Sequence, residues 1–503
     1  MHRYDICVIG AGPAGFAATV RALDLGKSVI LVEKKWFGGA GVWDGALSSK
    51  TMWELSKDVR KFSLRDRGYT VSHVDVDFSA MMAAVNATLD EKQAQMAQQL
   101  LAFEREVFPG RFRLAWGTAT FASEHEIAIE DAQGSTEVVY AEHIIIATGS
   151  TPRKLPHIAI DEQTIVTSDG LSAWTDFPES MVVLGAGVIG CEFATIFSNF
   201  GRTKVNIIDK AQQILPFEDE DISETVAANF EARGVTIHRG SALESMTIDN
   251  GKVKYVLSYA NGLKETHVVE KALVSVGRES NLRSLKLENA GLAVNERNAL
   301  VVNDTQTQQP HIYAIGDATA DICLVNVGEM EGRHAVEHIC GLTRQPLNYD
   351  NVSTIMFLSP EVAAVGYNEK QLRAKGISYR VAKYGYRFIS RALAMRNTNG
   401  FFKLIVTDDD EMRLLGVRTI GEHASSVIQA SALLMAMNKG IVELAELTHP
   451  HPSITEGIQD ACRMLLGTSI MKPSVFKGEL RCCRVHNGET QDLWRERQPT
   501  VCQ

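Results

Sequence analysis

The segment His449-Pro450-His451-Pro452-Ser453-Ile454-Thr455-Glu456 places a carboxylate a few positions after an imidazole. Histidine changes charge near neutral pH, and a neighbouring carboxylate fixes its tautomer and stabilises its charged form. His451 and Glu456 therefore have the makings of an acid–base pair. The same residues read equally well as a rigid proline-rich loop, with Glu456 in the first turn of the helix that follows.

Two other segments carry a different chemistry. Val8-Ile9-Gly10-Ala11-Gly12-Pro13-Ala14-Gly15 and Val183-Leu184-Gly185-Ala186-Gly187-Val188-Ile189-Gly190 share the G-x-G-x-x-G spacing, each between an apolar strand and a helix. The first glycine makes the tight turn, the second lets a pyrophosphate approach the backbone, and the third lets helix and strand pack closely. Glu33 and Asp209 close the strands that follow, where an acid accepts hydrogen bonds from ribose hydroxyls. Asp209 repels a ribose 2′-phosphate and no arginine pair follows it, so the second turn reads as an NAD(H) site, a preference that Lys210 softens. Two dinucleotide folds in one chain point to a flavin meeting a nicotinamide. Gly316-Asp317, at the end of a late strand, is either a simple turn or a hold on a flavin ribityl chain.

These turns need strands and helices to present them. The pattern is α/β: two Rossmann-like dinucleotide-binding domains followed by a C-terminal α+β domain. Helical periodicity covers residues 50–62 and 80–103, and buried strands precede Thr148-Gly149, Gly277-Arg278 and Gly316-Asp317. A proline-rich stretch at 151–156 separates the two units. The expected division is 1–150 with 275–347 for the first domain, 151–274 for the second and 348–472 for the third. Beyond residue 472 periodicity fades, and 473–503 reads as a polar tail carrying Cys482, Cys483 and Cys502.

Composition narrows the partners. The chain has 503 residues, 45% hydrophobic and 22% charged, with a net charge of -10. That acidity argues against nucleic acid or an anionic membrane as the main partner, and no apolar run is long enough to span a bilayer. Eight scattered cysteines fit a reducing compartment, and the first strand begins almost at Met1, leaving no room for a signal peptide. The expected location is cytoplasmic, or an organelle matrix if a presequence has been removed. No metal site is read from the sequence.

The motifs and their order resemble the dihydrolipoamide dehydrogenase and glutathione reductase family over about residues 4–470. Ser359-Pro360-Glu361-Val362-Ala363-Ala364-Val365-Gly366 is similar to the opening of that family's dimerisation domain, and 449–456 to its His-x-His-Pro-Thr-x-x-Glu signature. The resemblance implies FAD in the first domain, NAD(H) in the second and a homodimer through the third. FAD would be held by Gly10, Gly12, Pro13, Ala14, Gly15, Glu33 and Lys34, with Gly39, Ala40, Lys50, Thr148, Gly149, Gly316, Asp317 and Val325. NAD would be held by Gly185, Gly187, Val188, Ile189, Gly190, Glu192, Asp209 and Gly277. Lys50 matches a lysine beside the reactive flavin nitrogen and Glu192 the glutamate paired with it, while His451 and Glu456 reach the site of the partner subunit. A cation at that nitrogen stabilises charge as hydride arrives.

The chain also departs from that pattern. Across Gly38-Gly39-Ala40-Gly41-Val42-Trp43-Asp44-Gly45-Ala46-Leu47-Ser48-Ser49-Lys50, the two positions where the family has redox cysteines are Gly41 and Ala46. Trp43 and Asp44 replace an Asn-Val pair, and Asn326 stands where histidine is frequent. Trp43 either narrows the flavin face or stacks a planar substrate, or it fills volume left by the cysteines. Hydride exchange between NADH and FAD needs no thiol, so the expected activity is NADH oxidation with a non-disulfide, small-molecule acceptor. Three alternatives stand beside it. One is transhydrogenation between NAD and NADP, since 187–197 and 389–392 resemble the soluble transhydrogenases. The second is a reductase using the Cys482–Cys483 pair, and the third is a non-catalytic FAD-binding scaffold or complex subunit.

Overall fold

The computed structural model describes residues 1–43, 45–64, 67–343 and 345–496. Asp44 and Cys502 lie outside the described residues.

The first unit is built on strand Arg3–Ile9, which runs parallel to Val29–Glu33 on one side and to Thr136–Ile146 on the other. Phe112–Trp116 extends the sheet beyond Val29–Glu33, and an antiparallel pair, Glu126–Glu130 and Thr118–Phe121, follows Thr136–Ile146. Val29–Glu33 is buried along its whole length, as befits a continuous apolar run covered on both faces. The chain returns to this sheet much later, when Ile312–Ala314 pairs parallel with Thr136–Ile146. Helix Val325–Ile339 then lies on helix Pro13–Asp24, with Gly332 so close that a Cβ would stand 2.4 Å from the Ala14 carbonyl oxygen.

In the second unit Ser180–Leu184 lies between Lys204–Ile208 and Lys271–Val274, with Thr236–His238 and Ile165–Val166 outermost, all parallel. A three-stranded antiparallel sheet, Ser241–Asp249, Lys252–Tyr259 and Lys264–Val269, shares a core with it around Val182, Leu184, Met246, Tyr255 and Leu257. The proline-rich stretch is partly strand: Ser150–Pro152 pairs antiparallel with Arg278–Ser280, so the two crossings between units form one ribbon.

The third unit is a seven-stranded antiparallel sheet. Its last two strands correct the expectation for the tail. Arg481–His486 pairs with Tyr379–Gly385, and Glu489–Asp492 pairs back onto it. Consecutive residues of a strand point to opposite faces, so Cys482 and Cys483 enter two different hydrophobic clusters, and both are buried. The unit docks on the second through buried charge: Lys403 Nζ lies 2.9 Å from Asp219, 2.5 Å from Asp221 and 3.1 Å from Glu369. Among the described residues no helix is long and apolar enough to cross a membrane.

Candidate active site

The two glycine turns are geometric copies. Gly10 and Gly185 have φ of 107° and 102°, conformations that favour glycine. A Cβ on Gly15 would stand 1.9 Å from the Gly10 oxygen, and one on Gly190 2.1 Å from the Gly185 oxygen. The third glycine of each turn is thus required for the strand–helix approach. Pro13 opens the first helix, and Val188 and Ile189 open the second. The acids complete the copy. Glu33 Oε2 accepts from the Ala11 N–H at 2.7 Å, and Asp209 Oδ2 accepts from the Ala186 N–H at 2.7 Å. The other Glu33 oxygen accepts from the Lys34 and Lys35 N–H groups, and the other Asp209 oxygen from Ala211 N–H. Lys34 contributes here through its backbone, its side chain being exposed.

The backbone is open at the turns. Nothing stands within 4 Å of a Cβ built on Gly12, Gly149 or Gly187, so backbone amides at both helix starts can be approached. Gly39 lies against Gly12, and Gly316 against Ala14. Thr148 Oγ1 and Trp43 Nε1 are buried with no hydrogen-bond partner among the described residues. These orphaned groups and open amides fit a bound FAD.

The Gly316-Asp317 turn is held by Ser150 and Glu331. Ser150 Oγ donates to Asp317 Oδ2 at 2.5 Å and accepts from Arg278 Nε at 2.7 Å. Gly316 N–H donates to the buried Glu331 at 2.5 Å, and Tyr349 donates to the other oxygen of Glu331. Burial pushes the Glu331 carboxyl above its ordinary range, against those two hydrogen bonds. Ser150 and Glu331 were not singled out from the sequence; Glu331 lies in the helix Val325–Ile339, and only the fold brings it beneath the turn.

Lys50 and Glu192 meet across the two units. Lys50 sits on helix Ala46–Ser63 and Glu192 on helix Val188–Phe200. Lys50 Nζ donates to Glu192 Oε2 at 2.8 Å, while Glu192 Oε1 accepts from the Phe357 N–H at 3.0 Å. The Phe357 ring lies under the ammonium at 5.0 Å. Phe357 was missed because its polar contribution comes from the backbone. The helix begins at Ala46, earlier than the expected residue 50: the Ser49 N–H donates to the Gly45 carbonyl, which the Ser48 and Ser49 hydroxyls also approach.

The altered segment is compact. Gly39–Val42 forms one helical turn, and a Cβ on Gly41 would stand 2.5 Å from Pro13 Cγ and 3.6 Å from Val325 Cγ2. Ala46, already bearing a Cβ, opens the next helix. Trp43 packs on the core and against Trp36, with ring centroids 5.1 Å apart and planes 31° apart. Among the described residues, Asn326 Nδ2 reaches only the Ser353 carbonyl, at 3.4 Å. Gly277, with φ of 114°, carries the turn before Arg278.

His451 Nδ1 lies 2.7 Å from Glu456 Oε1, and Ser453 N–H donates to Glu456 Oε2 at 2.8 Å. Burial raises the Glu456 carboxyl, but His451 and the Ser453 amide outweigh it and hold it below its ordinary value. The His451 side chain is 68% exposed. No hydrogen bond or ion pair among the described residues joins this pair to Lys50 and Glu192 within one chain.

The pyridine nucleotide-disulphide oxidoreductase family matches residues 4–337, and its dimerisation domain matches residues 352–462. Dihydrolipoyl dehydrogenase of Bacillus subtilis is 32% identical over 472 residues, covering 93% of this chain and 99% of that protein. Leghemoglobin reductase of Vigna unguiculata is 30% identical over 465 residues, covering 91% of this chain and 86% of the relative. Among solved structures, LpdA from Mycobacterium tuberculosis superposes with a TM-score of 0.83 at 27% identity, over 92% of this chain and 100% of that one. The HOCl-induced flavoprotein disulfide reductase RclA from Escherichia coli superposes with a TM-score of 0.80 at 26% identity, over 92% and 100%. With its turns, acids and dimerisation domain in that order, this chain belongs to the pyridine nucleotide-disulphide oxidoreductase family and uses FAD and NAD(H).

Proposed function

We propose that the protein is an NADH oxidoreductase, working as a homodimer, that passes electrons through FAD to an acceptor other than a disulfide. One observation carries this reading: the segment 38–50 holds Gly41, Ala46 and no thiol, yet Lys50 and Glu192 form a close ion pair anchored by Phe357. FAD, held by the first glycine turn, Glu33 and the Gly316-Asp317 turn, would supply the hydride and electron chemistry between NADH and the acceptor.

The chain's own residues supply the rest. Lys50 places a positive charge whose position is set by the buried Glu192 and the Phe357 amide. Asp209 presents a carboxylate to the second dinucleotide, which favours an unphosphorylated ribose. Glu456 fixes the tautomer of His451 through Nδ1, leaving Nε2 to exchange a proton with an acceptor bound in the partner subunit's site. Cys482 and Cys483 sit buried in a paired strand, which leaves little support for a swinging thiol pair. The relative named leghemoglobin reductase is a family member whose named acceptor is a haem protein. The scattered cysteines, none of them in a disulfide among the described residues, suit a reducing, cytoplasmic setting.

The test is an acceptor comparison with NADH as donor: a soluble quinone and ferricyanide on one side, oxidised lipoamide and an aromatic disulfide on the other. Turnover confined to the first group is expected. Lipoamide reduction at a rate matching the quinone's would overturn the proposal.

A further inference from the structure

We propose that His238, Glu265 and His267 form a binding site for a divalent metal ion of the Zn²⁺ class in the second unit. The three residues lie outside the nucleotide turns and the Lys50–Glu192 pair, and the fold brings them together from two sheets. His238 ends the outer strand Thr236–His238, in register with Ile208. Glu265 and His267 alternate on strand Lys264–Val269 and so share one face of it. Their cross-strand partners are Leu257 and Tyr255, both buried in the core between the sheets. That register turns Glu265 and His267 inward, at the rim of the core where His238 stands.

One donor atom from each residue lies within 4.8 Å of the others. Glu265 Oε2 is 3.1 Å from His267 Nε2 and 3.9 Å from His238 Nδ1. A tetrahedral ion with bonds of about 2.0–2.1 Å holds its ligand atoms roughly 3.3 Å apart. Small side-chain rotations therefore close the set around an ion. Tyr259 Oη stands at a fourth corner, 3.0 Å from His238 Nδ1 and 2.9 Å from Glu265 Oε2. His238 is buried, and its Nε2 has no hydrogen-bond partner among the described residues. Among the described residues, the Tyr259 contact is thus the one hydrogen bond its ring gives up on ligating. Two imidazoles and one carboxylate suit Zn²⁺ better than Mg²⁺ or Ca²⁺, which prefer all-oxygen shells.

An ion here ties the outer strand of the parallel sheet to the antiparallel sheet, beside Asp209, whose N–H reaches the His238 carbonyl at 3.5 Å. Binding should therefore stabilise the second unit.

The experiment uses the full FAD-loaded protein, stripped with a chelator and dialysed against buffered Zn²⁺ alone. The wild type is expected to retain one Zn²⁺ per chain, and Glu265→Gln and His267→Gln each to weaken binding roughly tenfold or more. X-ray absorption on the wild type provides a readout that does not depend on variants folding. It should show two imidazole nitrogens and one carboxylate oxygen at about 2.0–2.1 Å. No retained zinc, a sulfur donor, fewer than two imidazoles, or unchanged retention in both folded variants would each overturn the proposal.

Discussion

Lys50 Nζ stands 2.8 Å from Glu192 Oε2, a contact between helices of two different units in which the acid is buried and the base is partly open. The pair therefore holds a positive charge at the junction of the two dinucleotide folds. Lys50→Met should slow anaerobic flavin reduction by NADH roughly 10²-fold, the usual cost of removing one preorganised electrostatic donor. Glu192→Gln, which keeps the shape but not the charge, should slow it less. Stopped-flow absorbance measures both, and rates equal to wild type would contradict this role.

His451 and Glu456 should matter to the second half of the cycle and not the first. His451→Ala is expected to leave flavin reduction by NADH unchanged while lowering turnover with a protonated acceptor about 10²-fold. The Glu456 carboxyl is held below its ordinary 4.5. Its stabilising bond is therefore complete above that value and is lost as pH falls through the lower folded value. Thermal melts between pH 3 and 6 should show a smaller acid loss in Glu456→Gln.

Lys403 docks the third unit on the second. Burial pulls its pKa down, but Asp221, Glu369 and Asp219 outweigh this and raise it above the ordinary 10.5. The contribution is thus complete below 10.5 and is lost as pH rises through the raised folded value. Burial raises the Asp221 carboxyl, yet Lys403 and Lys383 hold it below 3.8, so its share is lost only as pH falls beneath that. Lys403→Met leaves the buried Asp219 without its cation, while Asp221 keeps Lys383 and Glu369 keeps Arg481, and should cost about 3 kcal/mol near neutral pH. Denaturant unfolding should show a stability difference between wild type and Lys403→Met that stays flat across pH 5–9.

Restoring thiols should be uneven. A Cβ at Gly41 meets Pro13 Cγ at 2.5 Å, whereas Ala46 already carries one. Gly41→Cys should destabilise the first unit by about 1–3 kcal/mol through overpacking. Ala46→Cys should fold, load FAD and develop a long-wavelength thiolate–flavin band at alkaline pH. A flat spectrum in that loaded variant would mean the segment does not face the flavin.

The nucleotide turns were legible in the sequence because each is a local strand–turn–helix whose glycines answer to backbone geometry. Glu33 and Asp209 followed from their place at strand ends. Lys50 and Glu192 were reachable only through family resemblance, since nothing local tells a buried ion pair from two surface charges. Phe357 acts through its backbone amide, which residue type does not announce, and the Glu331 carboxylate reaches the Gly316 amide only because the fold brings its helix beneath the turn. The hairpin at 481–492 was missed for a related reason. Arg481 and Arg484 read as polar tail, yet they pair with Glu369 and Asp408 across the sheet. Glu265-x-His267 had the alternation of a strand face, but its partner His238 arrives from another sheet.

Anaerobic titration with NADH tests the central claim most directly. Cys482 and Cys483 are buried on opposite faces of a strand, and the segment 38–50 has no thiol. The flavin should bleach fully with one NADH per FAD, and no further NADH should be oxidised. Uptake of a second electron pair per FAD would show a redox-active disulfide and contradict the account.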